Sequence, residues 1–112
     1  LIVGRLNGVI AGTLQLSYEA PNIESRKNIA QIKRHFVAPW ARGYGLAKSM
    51  IDFSEEIAKE ENIKSIQMSV RETQDAAIKL FSSKGYNVWG ENPYYAFING
   101  NFIKGIYFYK NL

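Results

Sequence analysis

Two apolar runs, Leu1 to Leu6 and Val9 to Ser17, open the chain and are separated by the polar pair Asn7-Gly8. Both residues of that pair tolerate the positive φ angles of a tight turn, so the pattern predicts a β-hairpin. A third strand is predicted from Asn28 to Val37. It ends before Pro39, because proline cannot donate a hydrogen bond to a strand ladder.

A helical repeat occupies the segment from Gly45 to Asn62. Apolar side chains recur there every three or four residues and charged side chains cover the opposite side, which predicts an amphipathic helix. The apolar set is Leu46, Met50, Phe53 and Ile57, and the charged set is Glu55, Glu56, Lys59 and Glu60.

The rest of the chain predicts a strand, a second helix and a closing hairpin. Ile63 to Val70 is a short apolar run, and Thr73 is a candidate N-cap for a helix that stops at Gly85. Tyr94–Ile98 and Phe102–Tyr109 flank an Asn-Gly pair and predict the hairpin. The order β-β-β-α-β-α-β-β indicates an α/β or α+β fold with helices packed on a sheet.

Composition narrows the class of protein. With 112 residues and 46% hydrophobic content, the chain can bury one sizeable core, so a single domain over residues 1–112 is expected. No apolar run is long enough to cross a membrane, and no membrane partner is expected. The absence of cysteine excludes disulfides and thiolate metal sites, and no metal is expected. The net charge of +4 favours an anionic ligand only mildly.

The candidate chemistry lies between Val37 and Ala47, where a strand ends, glycines follow and a helix begins. A helix N-terminus presents unpaired N–H groups and the positive end of its dipole, so an anion can bind there. Arg42 adds a fixed positive charge, and the glycines allow close approach of the backbone. The segment therefore predicts a phosphate site. The alternative is that Gly43 and Gly45 merely shape an ordinary strand-to-helix turn.

Three segments together resemble the GNAT superfamily of N-acetyltransferases. Arg42-x-x-Gly45-x-Ala47 matches that family's coenzyme A signature, the run from Gln31 to Pro39 looks like its fourth strand, and the run from Gln74 to Tyr86 looks like its later helix and turn. The resemblance implies a mixed, mostly antiparallel central sheet with helices on both faces. It covers the family's second to seventh strands, so we expect that the first strand and first two helices precede Leu1.

The resemblance also implies acetyl-CoA as the acyl donor. The pyrophosphate would rest on the amides of residues 43–48, the end of the third strand would pair with the pantetheine arm, and a backbone N–H there would face the thioester oxygen. Two side chains of the second helix, Gln74 near its start and Phe81 in its later part, would complete the contacts. The residues implied are His35, Phe36, Val37, Arg42, Gly43, Tyr44, Gly45, Leu46, Ala47, Lys48, Gln74 and Phe81.

The usual acid–base residues of the family are missing. Many relatives have a catalytic glutamate where this chain has Gln31 or Ser69, and a tyrosine where it has Phe81. A general base is still expected, because an amine acceptor with a pKa near ~10 must lose a proton before it attacks. His35 is one candidate for this base, or else a structural residue of its strand. Glu72 is a second candidate, or else a cap of the following helix. Tyr94 and Tyr95 could place a phenol at the acceptor or serve only in packing, and a water chain is a further alternative.

Three functions follow from this sequence. The first is transfer of acetyl from acetyl-CoA to an amine of a small molecule, peptide or protein, by direct attack in a ternary complex in the cytoplasm. The second is a non-catalytic domain that binds acyl-CoA. The third, a nucleic-acid module, is disfavoured because the basic residues form no stripe. A homodimer is also to be considered, because relatives often dimerise and Phe102–Tyr109 predicts an apolar edge strand.

Overall fold

The structure, a computed structural model, describes residues 1–20 and 22–112. Within these residues, strands and helices follow one another in the order that the sequence predicts, and the α/β class is confirmed. The strands are Ile2–Leu6 (β1), Val9–Tyr18 (β2), Ile29–Val37 (β3), Ser65–Arg71 (β4), Asn87–Ile98 (β5) and Asn101–Asn111 (β6). The helices are Leu46–Glu60 (α1), Asp75–Ser83 (α2) and a 3₁₀ turn, Pro39–Ala41.

The chain divides into two compact units, Leu1–Ile66 with Leu112 and Gln67–Asn111. In the first unit, β1 pairs antiparallel with β2, and β2 pairs antiparallel with β3. Asn7 and Gly8 have φ angles of 53° and 80°, so the predicted hairpin turn is confirmed. Neither helix in the described part of the chain is long and apolar enough to span a membrane.

One extra residue interrupts the pairing of β2 with β3. Thr13 lies opposite Phe36, whereas Gln15 lies opposite Lys33, so β3 contains a bulge between these two pairs. Arg34 occupies the bulge with a φ of 51°, a left-handed conformation that is costly for a residue with a β-carbon. The strand is therefore bent shortly before it ends.

Helix α1 lies directly against the backbone of β1 and β2. A β-carbon on Gly4 would come within 2.8 Å of Leu46 Cδ1. One on Gly12 would come within 2.9 Å of Met50 Cε and within 2.8 Å of the carbonyl oxygen of Phe36. The two glycines thus provide the space in which the helix packs on the strands.

The buried face of α1 differs from the predicted one. Phe53 remains 51% exposed, although its spacing places it in the predicted apolar stripe. The buried residues are Met50, Ile51, Ser54, Glu55 and Ala58. Two small side chains, Ser54 and Ala58, are completely buried on this face, and the Ser54 hydroxyl donates to the Ile51 carbonyl at 2.7 Å.

In the second unit the strand order is β4-β6-β5, and β5 pairs antiparallel with β6. The prediction that β6 forms an edge was wrong, because β6 has a neighbour on each side and β5 forms the edge. β5 also starts seven residues earlier than predicted, at Asn87 instead of Tyr94. Gly90 and Pro93 disrupt the apolar pattern of that stretch, and both fall within or beside its register shifts.

Helix α2 begins at Asp75, with Gln74 at the N-cap position, so the prediction of Thr73 as the cap was wrong. Gln74 Oε1 accepts a hydrogen bond from the Arg71 amide at 3.1 Å, and this contact stabilises the turn before the helix. The predicted stop at Gly85 is confirmed by its φ of 85°, a conformation in which glycine is favoured.

We expect Gly12→Ala to lower the free energy of unfolding by about 2 kcal/mol, because the new β-carbon meets the Phe36 carbonyl, a backbone atom with little freedom to move. Urea unfolding followed by circular dichroism measures the change. Gly4→Ala is the matched control: its β-carbon meets the ends of the flexible Leu46 and Met50 side chains, so the loss should be under about 1 kcal/mol. Equal losses in the two variants would contradict this account.

A second prediction concerns Tyr18 at the end of β2. Burial, together with a hydrogen bond to the Glu61 carboxylate, raises the pKa of Tyr18 to about 12. Since the folded state holds this proton more tightly than the unfolded chain, whose tyrosine pKa is near ~10, the stabilisation is complete below about pH 10 and is lost as the pH rises toward 12. Urea unfolding of Tyr18→Phe should therefore show a smaller alkaline loss of stability than wild type. Identical losses would rule out this linkage.

Candidate functional site

The candidate site begins where β3 ends. The Ala38 amide donates to the Ala11 carbonyl at 2.7 Å, which attaches the residue after β3 to strand β2. The 3₁₀ turn follows, with Pro39 at its first position and the Ala41 amide donating to the Ala38 carbonyl at 2.9 Å. Ala41 itself is completely buried. The path from β3 to the following loop is therefore held by backbone hydrogen bonds and by a buried side chain.

Two left-handed glycines then carry the chain into α1. Arg42 is extended, Gly43 has a φ of 89°, and Gly45 has a φ of 74° at the N-cap of the helix. A β-carbon on either glycine would meet no atom within 4 Å, so the backbone conformation and not close packing requires glycine at both positions. The loop is consequently open on the side where these β-carbons would stand.

The start of α1 presents backbone donors. No side chain caps Gly45, and the Ser49 amide donates to the Gly45 carbonyl at 3.0 Å. The amides of Leu46, Ala47 and Lys48 precede that bond and have no acceptor within the helix. The first turn of α1 contains no acidic residue that would repel an anion, and the exposed Arg42 lies immediately before the loop. This arrangement is suited to bind a phosphate or diphosphate.

The end of β3 contributes backbone groups beside this loop. Strand β2 takes one edge of it, with Val37 opposite Gly12 and Phe36 opposite Thr13. His35 follows the bulged Arg34, and its Nε2 atom is buried. Burial lowers the pKa of His35, so its imidazole is neutral near pH 7. A neutral imidazole has the protonation state that a general base requires.

Glu72, Tyr94, Gln74 and Phe81 all belong to the second unit. Glu72 interacts with Lys104 in two ways: its Oε1 accepts from the Lys104 amide at 3.4 Å, and its Oε2 lies 3.9 Å from Lys104 Nζ. It does not cap α2, whose N-cap is Gln74 with no side-chain capping bond, so the predicted capping alternative was wrong.

The aromatic candidates of the second unit have packing contacts. Tyr94 is exposed, and its ring lies edge-on to Phe102 with 4.9 Å between centroids. Phe81 is 1% exposed, and its ring lies edge-on to Tyr86 at 5.1 Å. Phe81 therefore occupies the core and brings no hydroxyl to this position.

Sequence reasoning did not foresee a hydroxyl pair between β4 and β5. Ser69 Oγ and Tyr95 OH lie 2.7 Å apart, and either group can donate the proton. The Tyr95 ring lies so close to Gly105 that a β-carbon there would clash with it. Gly105, a glycine among the aromatic residues of β6, is the sequence signal that could have indicated a ring packed on this strand.

The sequence of this chain is similar to those of known acetyltransferases. Residues 1–86 match the family model described as the acetyltransferase (GNAT) family. An N-acetyltransferase from the hisH-hisA intergenic region of Azospirillum brasilense, itself uncharacterized, is 46% identical over 74 residues, which are 66% of this chain and 44% of that protein. The match thus spans less than half the length of that relative.

Solved structures share the fold. The ribosomal-protein-alanine N-acetyltransferase of Brucella melitensis superposes with a TM-score of 0.86 at 21% identity, over 98% of this chain and 67% of its own. The yncA protein of Salmonella typhimurium, solved with its cofactor acetyl-CoA, superposes with a TM-score of 0.86 at 18% identity, over 98% of this chain and 62% of its own. By its sequence match to the family model, and in agreement with its fold, this chain belongs to the GNAT family of acetyltransferases.

Proposed function

We propose that this chain forms the acetyl-CoA-binding part of an N-acetyltransferase that transfers acetyl to an amine by direct attack in a ternary complex. The turn between β3 and α1 carries the proposal. It combines two left-handed glycines, the open amides of the first helical turn and Arg42, in a chain of the GNAT family. The relative solved with acetyl-CoA supports the choice of ligand. We place this activity in the cytoplasm as part of the same proposal.

The diphosphate of acetyl-CoA would accept hydrogen bonds from the amides of residues 43–48. Hydrogen bonds to a charged group contribute about 1.5–3 kcal/mol each, roughly twice a neutral one, and the helix dipole adds to them. The guanidinium of Arg42 adds two parallel donors where a single charge would provide less directional contact. The residues present therefore fit the ligand in charge and in donor number.

The thioester arm would lie along the end of β3. Strand β2 pairs with one edge of Phe36 and Val37, and we place the pantetheine amides on the opposite edge of these two residues, as in the addition of a strand. Acetyl-CoA supplies an activated acyl group, and a backbone N–H that faces its thioester oxygen stabilises the oxyanion by about 3 kcal/mol. The bend at Arg34 sets the direction of this strand end.

Proton transfer in this site would have to use a group other than Gln31, Ser69 or Phe81, which cannot serve as the general base or acid. His35 shares a unit with the proposed coenzyme loop, and its imidazole is neutral near pH 7, the state in which a histidine would serve as a base for the acceptor amine. Glu72 is engaged with Lys104, and Tyr94 with Phe102. We therefore place His35 before Glu72 and Tyr94. Positioning of the two substrates alone supplies several kcal/mol of the barrier in comparable reactions.

The second candidate function is binding of acyl-CoA without transfer. The buried Phe81 favours it, because this side chain offers no proton to a leaving thiolate. Release of free thiol from acetyl-CoA in the presence of a panel of primary amines separates the two functions. Transfer predicts thiol release that depends on an amine, whereas the binding function predicts retained affinity for acetyl-CoA without turnover.

Arg42→Ala should weaken acetyl-CoA binding by about ten- to a hundred-fold, because it removes a charged hydrogen-bonding group from the diphosphate. Isothermal titration calorimetry of the full-length protein measures the dissociation constant without knowledge of the acceptor. The matched control is Arg5→Ala, which changes the net charge equally but removes an exposed side chain that donates to Gly8 in the first hairpin. No binding by folded wild type would refute the proposal, and equal weakening by both variants would refute the specific role of Arg42.

A further inference from the structure

Two large aromatic side chains stand exposed on either side of Arg42. Trp40, two residues before it, is 56% exposed, and Tyr44, two residues after it, is 69% exposed. Both are among the residue types whose burial contributes most to stability, so their exposure leaves a large apolar surface in water beside the anion site. We propose that Trp40 and Tyr44 bind the adenine ring of coenzyme A by stacking, an inference that rests on the proposed acetyl-CoA site.

Trp40 belongs to the 3₁₀ turn Pro39–Ala41, whose backbone is well fixed. Pro39 fixes the first φ angle of the 3₁₀ turn, the Ala41 amide donates to the Ala38 carbonyl, and the buried Ala41 attaches the turn to the core. A ring on such a turn loses little conformational freedom when it binds a ligand. This preorganisation favours binding of another flat ring.

Tyr44 lies between the two left-handed glycines. Gly43 and Gly45 both have positive φ angles, and Tyr44 between them is exposed to solvent, directly before the amides of the first helical turn. A tyrosine has few rotatable bonds, so it offers a large contact area at low entropic cost. Its place in the sequence puts a ring immediately next to the group that would hold the diphosphate.

The chemistry of the ligand explains both rings. Coenzyme A carries adenosine on the side of its diphosphate opposite to the pantetheine arm. With the diphosphate on the loop amides and the arm on β3, the purine would leave the loop toward solvent, to which both aromatic side chains are exposed. Stacking of a base on an aromatic ring contributes enough for about a ten-fold change in affinity when the ring is removed.

The test compares two ligands that share the thioester arm. Acetyl-CoA contains adenosine, whereas acetyl-4′-phosphopantetheine has the thioester arm and one phosphate but no adenosine. By calorimetry, Trp40→Ala and Tyr44→Ala should each weaken acetyl-CoA binding about ten-fold and leave acetyl-4′-phosphopantetheine binding unchanged, while Tyr44→Phe should retain the affinity of wild type. Phe53→Ala, which removes an exposed ring from α1, is the matched control and should change neither affinity.

A direct readout of Trp40 uses the small number of tryptophans. The sequence contains two, so Trp89→Phe leaves Trp40 as the sole tryptophan. Adenosine 3′,5′-bisphosphate, which lacks the pantetheine arm, should quench the fluorescence of this variant saturably, and acetyl-CoA should compete.

The outcomes separate the two proposals. If wild type binds acetyl-CoA but neither alanine variant binds it more weakly, or if both ligands lose affinity equally, the stacking inference is wrong while the coenzyme site stands. Absence of quenching in a variant that binds acetyl-CoA would also overturn the inference. If wild type binds neither ligand, the proposed function itself fails.

Discussion

The close approach of α1 to the backbone of β1 and β2 is the contact on which the candidate site depends. Gly4 and Gly12 leave room for the Leu46 and Met50 side chains of α1, so the helix packs closely on the strands at these two positions. The Phe36 carbonyl, at the end of β3, also lies beside Gly12, so the end of the strand borders the place where the helix packs. The first turn of the helix and the end of the strand are thereby fixed relative to each other, and a ligand that uses both finds its donors already in place.

The two hairpin turns and the end of α2 were predictable because local chemistry determines them. Asn-Gly pairs adopt positive φ in both turns, and a left-handed glycine ends α2, so the residues alone indicate where the chain must turn. The bulge at Arg34 could not be foreseen in this way. Arginine has no preference for left-handed φ, and the conformation is imposed by the pairing of β3 with β2.

The error about the buried face of α1 has a physical cause, because the burial of a helix residue depends on the neighbours of the helix. Periodicity cannot tell that glycines lie beneath α1, and therefore it cannot choose between Phe53 and Ser54 as the inward residue. For the proposed site, the loop could be recognised from the sequence because its backbone donors are consecutive. The hydrogen-bonded pair of Ser69 and Tyr95 joins residues 26 positions apart, and the pattern along one strand carries no information about such a pair.

The bulge in β3 has a consequence for how the strand can change. Before the bulge the numbers of paired residues sum to 48, as for Gln15 with Lys33, and after it they sum to 49, as for Thr13 with Phe36. Deletion of Arg34 would make the two sums equal and would leave every pair matched. In a regular strand, deletion of one residue moves the side chains that follow to the opposite face of the sheet. Deletion of Arg34 would instead straighten β3 and keep its residue pairs with β2. The bend in β3 therefore depends on one residue, and the pairing of β3 with β2 does not depend on that residue.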